Sequence, residues 1–197
     1  MANKKRIIRE GTRKIFHIII GIGITLLAYN STITGLQIIG VSLLLMILSI
    51  LFHKHPIRSI ERIIEKYDRK DIIPGYGAIM LGLGIGASFI IFHKDIALIA
   101  GICVSITDGI STIISLFQDK ALNKRSIYGT AIGSIASFAL LSSFYAHISI
   151  IVIVIAAITS GIIDYYYDRI WIVDDNIVMP LVTGAISYVT MILLLHV

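Results

Sequence analysis

The chain has a single cysteine, Cys103, which stands inside an apolar run and excludes a disulfide framework. Charge is also scarce. Asp, Glu, Lys and Arg make up 15% of the 197 residues against 56% hydrophobic, and the mean hydropathy is +0.90, a balance that excludes a soluble domain. There is no G-x-x-x-x-G-K-[ST] phosphate loop, no protein-kinase catalytic loop and no zinc motif. Nor is there a convincing internal symmetry of the kind a transporter built from inverted repeats would show. Nearly all the apolar matter is used up in long runs, which predicts one integral membrane domain over 1–197 and no separate soluble one.

Those runs are what the chain has in abundance. A helix needs roughly 20 apolar residues to cross about 30 Å of hydrocarbon. Seven runs approach that length, near 15–31, 33–52, 74–92, 96–117, 127–146, 148–163 and 177–196. They predict an all-α, polytopic bundle whose sixth span is short and therefore tilted or bent. Sixteen of the 17 basic residues fall in four stretches, around 4–14, 54–70, 120–125 and at Arg169, with Lys94 the exception. Lys and Arg are retained on the cytoplasmic side during insertion, so the amino end is expected in the cytoplasm and the carboxyl end outside. Anionic lipid head groups account for the net charge of +5, and no nucleic-acid partner follows from it. The basic start imitates a signal peptide. It lacks a convincing small-residue cleavage site, and the run after it carries His17, so it reads as a retained first span.

The expected outer connections, 29–32, 93–95 and 146–148, are too short to hold a site. The inner ones are longer. In 53–73, Ile57, Ile60, Ile63 and Ile64 alternate with Arg58, Glu61, Arg62, Glu65 and Lys66 at helical spacing, predicting a helix lying at the membrane interface between spans 2 and 3. The stretch 164–176 holds three tyrosines, Trp171 and four aspartates, an interfacial composition. Gly82, Gly84 and Gly86 in span 3 read as close helix packing, whereas Gly75 and Gly77 follow Pro74 and mark a turn or helix start.

Asp108 is the clearest anomaly, a carboxylate inside the fourth apolar run next to Gly109, which permits a broken helix. Intramembrane carboxylates face a cavity, a partner or an ion. The structural alternative is an ion pair with a buried Lys or Arg, but no basic residue lies deep in any predicted span. His17 sits early in span 1, where a histidine is as often an interfacial hydrogen-bonder as a functional group. Asp174, Asp175 and Asn176 form an oxygen-ligand set suited to Mg²⁺, or else cap the seventh helix. Lys124, Arg125, Ser126, Gly129 and Thr130 open span 5, where cations, hydroxyls and helix N–H groups suit phosphate; a membrane anchor with a helix cap is the plainer reading.

In this order, the pieces resemble the polytopic CTP-dependent lipid kinases, the family of dolichol kinase, phytol kinase and yeast-type diacylglycerol kinase. Glu10, Arg13, Lys14, His17 and Gly21 resemble the family's E-x-x-R-K-x-x-H-x-x-x-G start, and Pro74-Gly75-Tyr76-Gly77 its P-G-x-G element. Thr107-Asp108-Gly109 resembles its G-D-x-x-A segment. Arg125 to Thr130 resembles K-S-x-E-G-[ST], and Asp174-Asp175-Asn176 with Pro180 its late D-N-x-x-x-P element. Tyr128 stands where the family has Glu, and Arg125 where it has Lys. The resemblance implies CTP as donor, Mg²⁺ as cofactor and a lipid alcohol as acceptor, at the cytoplasmic face of a prokaryotic plasma membrane or of the endoplasmic reticulum. It implies Asp108, Asp175 and His17 as catalytic residues and Asp108, Asp174 and Asp175 as metal ligands. Lys70, Gly75, Gly77, Lys124, Arg125, Ser126, Gly129, Thr130 and Asn176 would then bind nucleotide. The segment from Arg69 to Gly77 is also similar to the K-D-x-x-x-x-P-G-H-G stretch of phosphatidate cytidylyltransferase, without its closing D-R-x-D. A CDP-lipid-forming enzyme and a non-enzymatic transporter or scaffold, with Asp108 as a coupling-ion site, are the alternatives.

Overall fold

The computed structural model describes residues 2–55, 73–118, 125–145, 147–170 and 173–195. Among these, seven helices and no strands occur: α1 (Ala2–Tyr29), α2 (Gly35–Lys54), α3 (Tyr76–Ile91), α4 (Lys94–Phe117), α5 (Ile127–Phe144), α6 (Ile150–Ile170) and α7 (Asp175–Leu195). Every predicted apolar run overlaps one of them. Six are long and apolar enough to cross a membrane, and α3, with 16 residues, is a shorter apolar helix. The molecule is a multi-pass helical membrane bundle. The expected interfacial helix of 53–73 lies almost wholly outside the described residues, as do Lys70 and Lys124.

Two helices are longer than their apolar runs. The first was expected from 15, but α1 starts at Ala2, because Glu10, Lys14 and His17 turn inward and are buried. The sixth was expected to end at 163, but α6 continues to Ile170, and Asp164 is only 1% exposed. It is neither short nor interfacial at that point.

The bundle is built around α4, of whose 24 residues 18 are buried. α1, α3, α5, α6 and α7 pack around it, and α2 lies outside against α3. Only four of the 20 residues of α2 are buried, and its Leu43, Leu44, Leu45, Ile47 and Leu48 face outward. An apolar exterior around a more polar centre is what a lipid solvent favours, since hydrocarbon exacts no penalty for exposed Leu and a large one for exposed polar groups.

Local chemistry sets the helix ends. Thr34 and Gln37 form a capping box on α2, with Thr34 Oγ1 accepting from the Gln37 N–H at 3.2 Å and Gln37 Oε1 accepting from the Thr34 N–H at 2.8 Å. The turn into α3 has Gly75 at φ +73°, a left-handed conformation that glycine adopts without strain. Ser49 Oγ donates to the Pro74 carbonyl at 2.5 Å and ties that turn to α2. Small residues then bring the helices close. A Cβ on Gly133 would lie 2.8 Å from the Thr107 carbonyl oxygen, and one on Gly129 would lie 2.7 Å from that of Ser111, so α5 can touch the α4 backbone only with glycine there. Gly82 and Gly86 meet α2, and Gly84 meets α7, as expected for packing glycines. Gly109 does not break α4; it lies against Ile18 of α1.

Candidate functional site

The inward face of α1 begins the site. Glu10, Arg13, Lys14 and His17 follow i, i+3, i+4, i+7 spacing, which places them on one side of a helix. Glu10 is fully buried and accepts from Arg13 Nε at 3.2 Å and Nη2 at 3.0 Å. One turn on, Lys14 Nζ pairs with Asp108 Oδ2, and His17 Nε2 stands 3.2 Å from the same oxygen. This corrects the expectation that Asp108 has no basic partner. Lys14 sits at the polar edge of the sequence run, but α1 extends past that edge and carries it alongside α4.

The other oxygen of Asp108 belongs to Arg125. Nη2 donates to Asp108 Oδ1 at 2.6 Å and to Asp175 Oδ2 at 3.0 Å, Nε lies 3.4 Å from Asp164 Oδ1, and Nη1 donates to Thr112 Oγ1. Thr112 Oγ1 in turn donates to the Asp108 carbonyl at 2.8 Å. Thr130 Oγ1 donates to the second oxygen of Asp164 at 2.8 Å. One guanidinium thus joins carboxylates from α4, α6 and α7. The side chains of Lys14, Asp108 and Asp164 are 6%, 0% and 0% exposed, and that of Arg125 is 12% exposed. Counting from Lys94, Asp108 lies about 21 Å along α4 at 1.5 Å per residue, so the cluster sits inside the bundle toward one of its ends.

At the start of α7, Asp174 rather than Asn176 is the cap. Its Oδ1 accepts from the Asn176 backbone N–H at 3.0 Å and from the Asn176 side-chain amide at 2.8 Å. That amide also donates to Asp175 Oδ1 at 3.1 Å. Burial, then the charge of Asp175 beside it, push the Asp174 carboxyl up to about 6, against the pull of its bonds from Asn176. Pro180 has no N–H for the Asn176 carbonyl, which packs onto Gly84.

Several predicted residues take other places. Gly129 is pressed on the α4 backbone and offers no open cradle. Ser126 occupies the cap position of α5, but its hydroxyl donates to Gln118 Oε1 at 2.5 Å and caps nothing. Its N–H donates to Ser115 Oγ at 2.9 Å. Gly75 makes the turn, and a Cβ on Gly77 would stand 3.4 Å from Arg13 Nη1, which puts the Pro74–Gly77 element beside the α1 face. Tyr128 is 69% exposed and points out of the cluster. Among the described residues, no group of three or more His, Cys, Asp or Glu side chains stands in position to hold a metal ion. The expected trio of Asp108, Asp174 and Asp175 is not assembled: Arg125 lies between the first and the last, and Asp174 caps its helix.

Thr112 and Asp164 are site members that sequence reading did not single out, and Lys14 was marked only as part of the opening motif. Asp164 carried a signal, a carboxylate one residue past an apolar run; Thr112 carried none. Asn176 Oδ1 is buried with no hydrogen-bond partner, whereas His17 Nε2 and Asp164 Oδ1, which make no well-aligned hydrogen bond, lie 3.2 Å from Asp108 Oδ2 and 3.4 Å from Arg125 Nε. Below the charges, Thr107 Oγ1 bonds Ser137 Oγ at 2.9 Å and Ser160 Oγ at 3.1 Å, a hydroxyl layer that joins α4, α5 and α6. No family model matches the chain, and comparison with curated proteins and with solved structures finds no match either.

Proposed function

We propose that the protein is a CTP-dependent lipid kinase, moving the γ-phosphoryl group of CTP to the hydroxyl of a polyprenol- or dolichol-type alcohol at the cytoplasmic membrane face. The observation that carries this reading is the meeting of Asp108, Arg125 and Asp175, from three distant parts of the chain, in one buried cluster inside an apolar-faced bundle. Charges at membrane depth are costly and mark substrate or ion pathways. The motif-bearing residues Lys14, His17, Asp108, Arg125, Thr130, Asp175 and Asn176 all belong to this cluster, and the resemblance they carry supplies CTP as the donor.

The described residues assemble no ready metal-holding group, and what they offer a magnesium ion is oxygen donors. Asp108, Asp164 and Asp175 surround Arg125, Asp108 also pairs with Lys14, and the buried acceptor Asn176 Oδ1 lacks a donor. Oxygen is the ligand Mg²⁺ takes. Asp175, the most open carboxylate around Arg125, would hold such an ion together with the nucleotide, and the ion would offset the charge of the phosphates. Arg125 and Lys14 bind phosphate, joined by Lys124 and Lys70. The first N–H groups of α5, which no side chain caps, add to that binding. The lipid hydroxyl oxygen bonds to the γ-phosphorus, the bond from that phosphorus to the β–γ bridging oxygen breaks, and CDP leaves. The hydroxyl proton passes to Asp175, which is 16% exposed and the most open of the carboxylates around Arg125. Asp108, enclosed by Lys14, His17 and Arg125, holds these groups in register.

Purified full-length protein, incubated with γ-labelled CTP, Mg²⁺ and a panel of polyprenol, phytol, geranylgeraniol, diacylglycerol and phosphatidate, is expected to place label in a lipid alcohol. Pyrophosphate release with phosphatidate would favour the cytidylyltransferase instead, and neither product would overturn both. The orientation follows from the 16 of 17 basic residues expected on one side. A cysteine introduced at Asn123 should resist labelling from outside an intact cell, whereas one at Val197 should react. Outside labelling at position 123 would reverse the topology.

A further inference from the structure

Arg125 belongs to no helix. It precedes Ser126, the cap position of α5, so helix geometry does not fix its side chain. The guanidinium is placed by what it touches. Asp108 Oδ1 and Asp175 Oδ2 both accept from one nitrogen, Nη2, at 2.6 and 3.0 Å. A planar group held at a single nitrogen can pivot about it. Nη1 meets the neutral hydroxyl of Thr112. On the stem side the contact is charged, with Asp164 Oδ1 lying 3.4 Å from Nε. A carboxylate at Nε and two more at Nη2 fix the plane of the fork as well as its position.

Asp164 is held in turn. Its side chain is fully buried on α6, and Thr130 Oγ1 donates to its Oδ2 at 2.8 Å. Thr130 is itself set in the first turn of α5, where its N–H donates to the Ser126 carbonyl at 2.9 Å. The chain of contacts therefore leaves α5 at Thr130, passes through Asp164 of α6 and returns to Arg125 just ahead of α5. Nothing in the proposed chemistry uses Asp164 directly, and a buried carboxylate repels phosphate rather than binding it.

We infer that Asp164, steadied by Thr130, is a positioning residue that keeps the Arg125 guanidinium aimed at phosphate while an arriving nucleotide displaces Asp175 from Nη2. Asp175 is the carboxylate such an anion can replace, because its side chain is 16% exposed where those of Asp108 and Asp164 are buried. Nε stays with Asp164 throughout. The inference rests on the kinase reading for the identity of the anion as a nucleotide triphosphate.

The test uses full-length protein in detergent. Affinities for CTP with Mg²⁺ and for inorganic triphosphate are measured by calorimetry, per folded molecule, beside thermal melting. Asp164→Asn removes the charge at nearly constant size. It should weaken both ligands by about tenfold or more, as misplacement of a binding group does. In an Arg125→Lys background the same change should weaken them by less than about twofold, because an ammonium has no plane to be held. Thr130→Val releases Asp164 without altering any charge and should show the same dependence on Arg125, which keeps the test open if Asp164→Asn does not fold. A structural Asp164 would lower the melting temperature with affinity unchanged, or lower affinity equally in both backgrounds. Either result would overturn the inference, as would failure of the unmodified protein to bind either ligand. Unchanged affinity in Asp164→Asn with γ-phosphoryl transfer intact sinks the positioning role and spares the kinase. A loss of affinity that depends on Arg125, with no transfer to any lipid, does the reverse.

Discussion

The two ends of the bundle hold the same kinds of side chain in different settings. At one end, Lys14, His17, Asp108, Arg125, Asp164 and Asp175 interlock with side chains between 0% and 16% exposed. At the other, His93 Nδ1 lies 3.4 Å and His147 Nε2 lies 3.7 Å from the two oxygens of Asp95, with these histidines 60% and 56% exposed. Tyr29 packs edge-on to Tyr145 at 5.7 Å, and Lys94 sits over the Tyr29 ring at 5.4 Å. The second set reads as an interfacial belt, in which water screens each pair and the rings sit at head-group level. In the first set, water is replaced by four packed helices, and every charge needs a partner. Residue identity alone therefore does not distinguish a site from a surface; the number of elements that converge, and the burial they impose, does.

The largest effect should come from breaking the buried end at its centre. Asp108→Asn should lower transfer by about 100-fold or more, the scale for loss of an electrostatic group at a reacting centre. It should also destabilise the fold by about 3–5 kcal/mol, because Lys14 stays buried without its carboxylate. Transfer kinetics and melting of the same preparation check both. Next, Asp175→Ala should weaken CTP binding and raise the Mg²⁺ requirement by about 10-fold or more, as loss of groups around a metal commonly does; a Mg²⁺ titration of turnover measures it. A smaller change should follow from Gly133→Ala, which adds no charge. It forces α5 off the Thr107 carbonyl and should cost about 1–3 kcal/mol of stability, read by melting, while CTP affinity per folded molecule holds. The smallest should come from the exposed end. Asp95→Asn and His147→Ala should each change stability by less than about 0.5 kcal/mol and turnover by less than about twofold. A large loss there would erase the contrast between the ends.

The apolar runs were legible because hydrocarbon demands length and hydropathy, and both are local properties. The packing role of Gly82, Gly84 and Gly86 was legible for a related reason, since small residues at helical spacing have few other uses in a span. The polar ends of helices were not legible. Glu10, Lys14 and Asp164 look like flanking loop in sequence, yet each is inward on a continuing helix, and only the neighbouring helix makes that position tolerable. The partnership of Lys14 with Asp108 spans 94 residues. It depends on α1 meeting α4 through Gly21 against Ser105 and Ile18 against Gly109, contacts that no window of sequence contains. Asp108, Arg125 and Asp175 could be named because each is chemically out of place. That one guanidinium joins them, with Asp164, is a property of the fold.

A charge-balanced pair of substitutions addresses most directly whether the cluster performs chemistry or merely holds helices together. Lys14→Met with Asp108→Asn removes one cation and one anion and leaves no unpaired charge between them, so Arg125 keeps Asp164 and Asp175. Melting and γ-phosphoryl transfer from CTP to the preferred lipid alcohol are measured on the same reconstituted protein. The account predicts a melting temperature within a few degrees of the unmodified protein, with transfer lowered by about 100-fold or more. A double variant that melts normally and transfers phosphate at the original rate would contradict it and leave the buried charges a structural role alone.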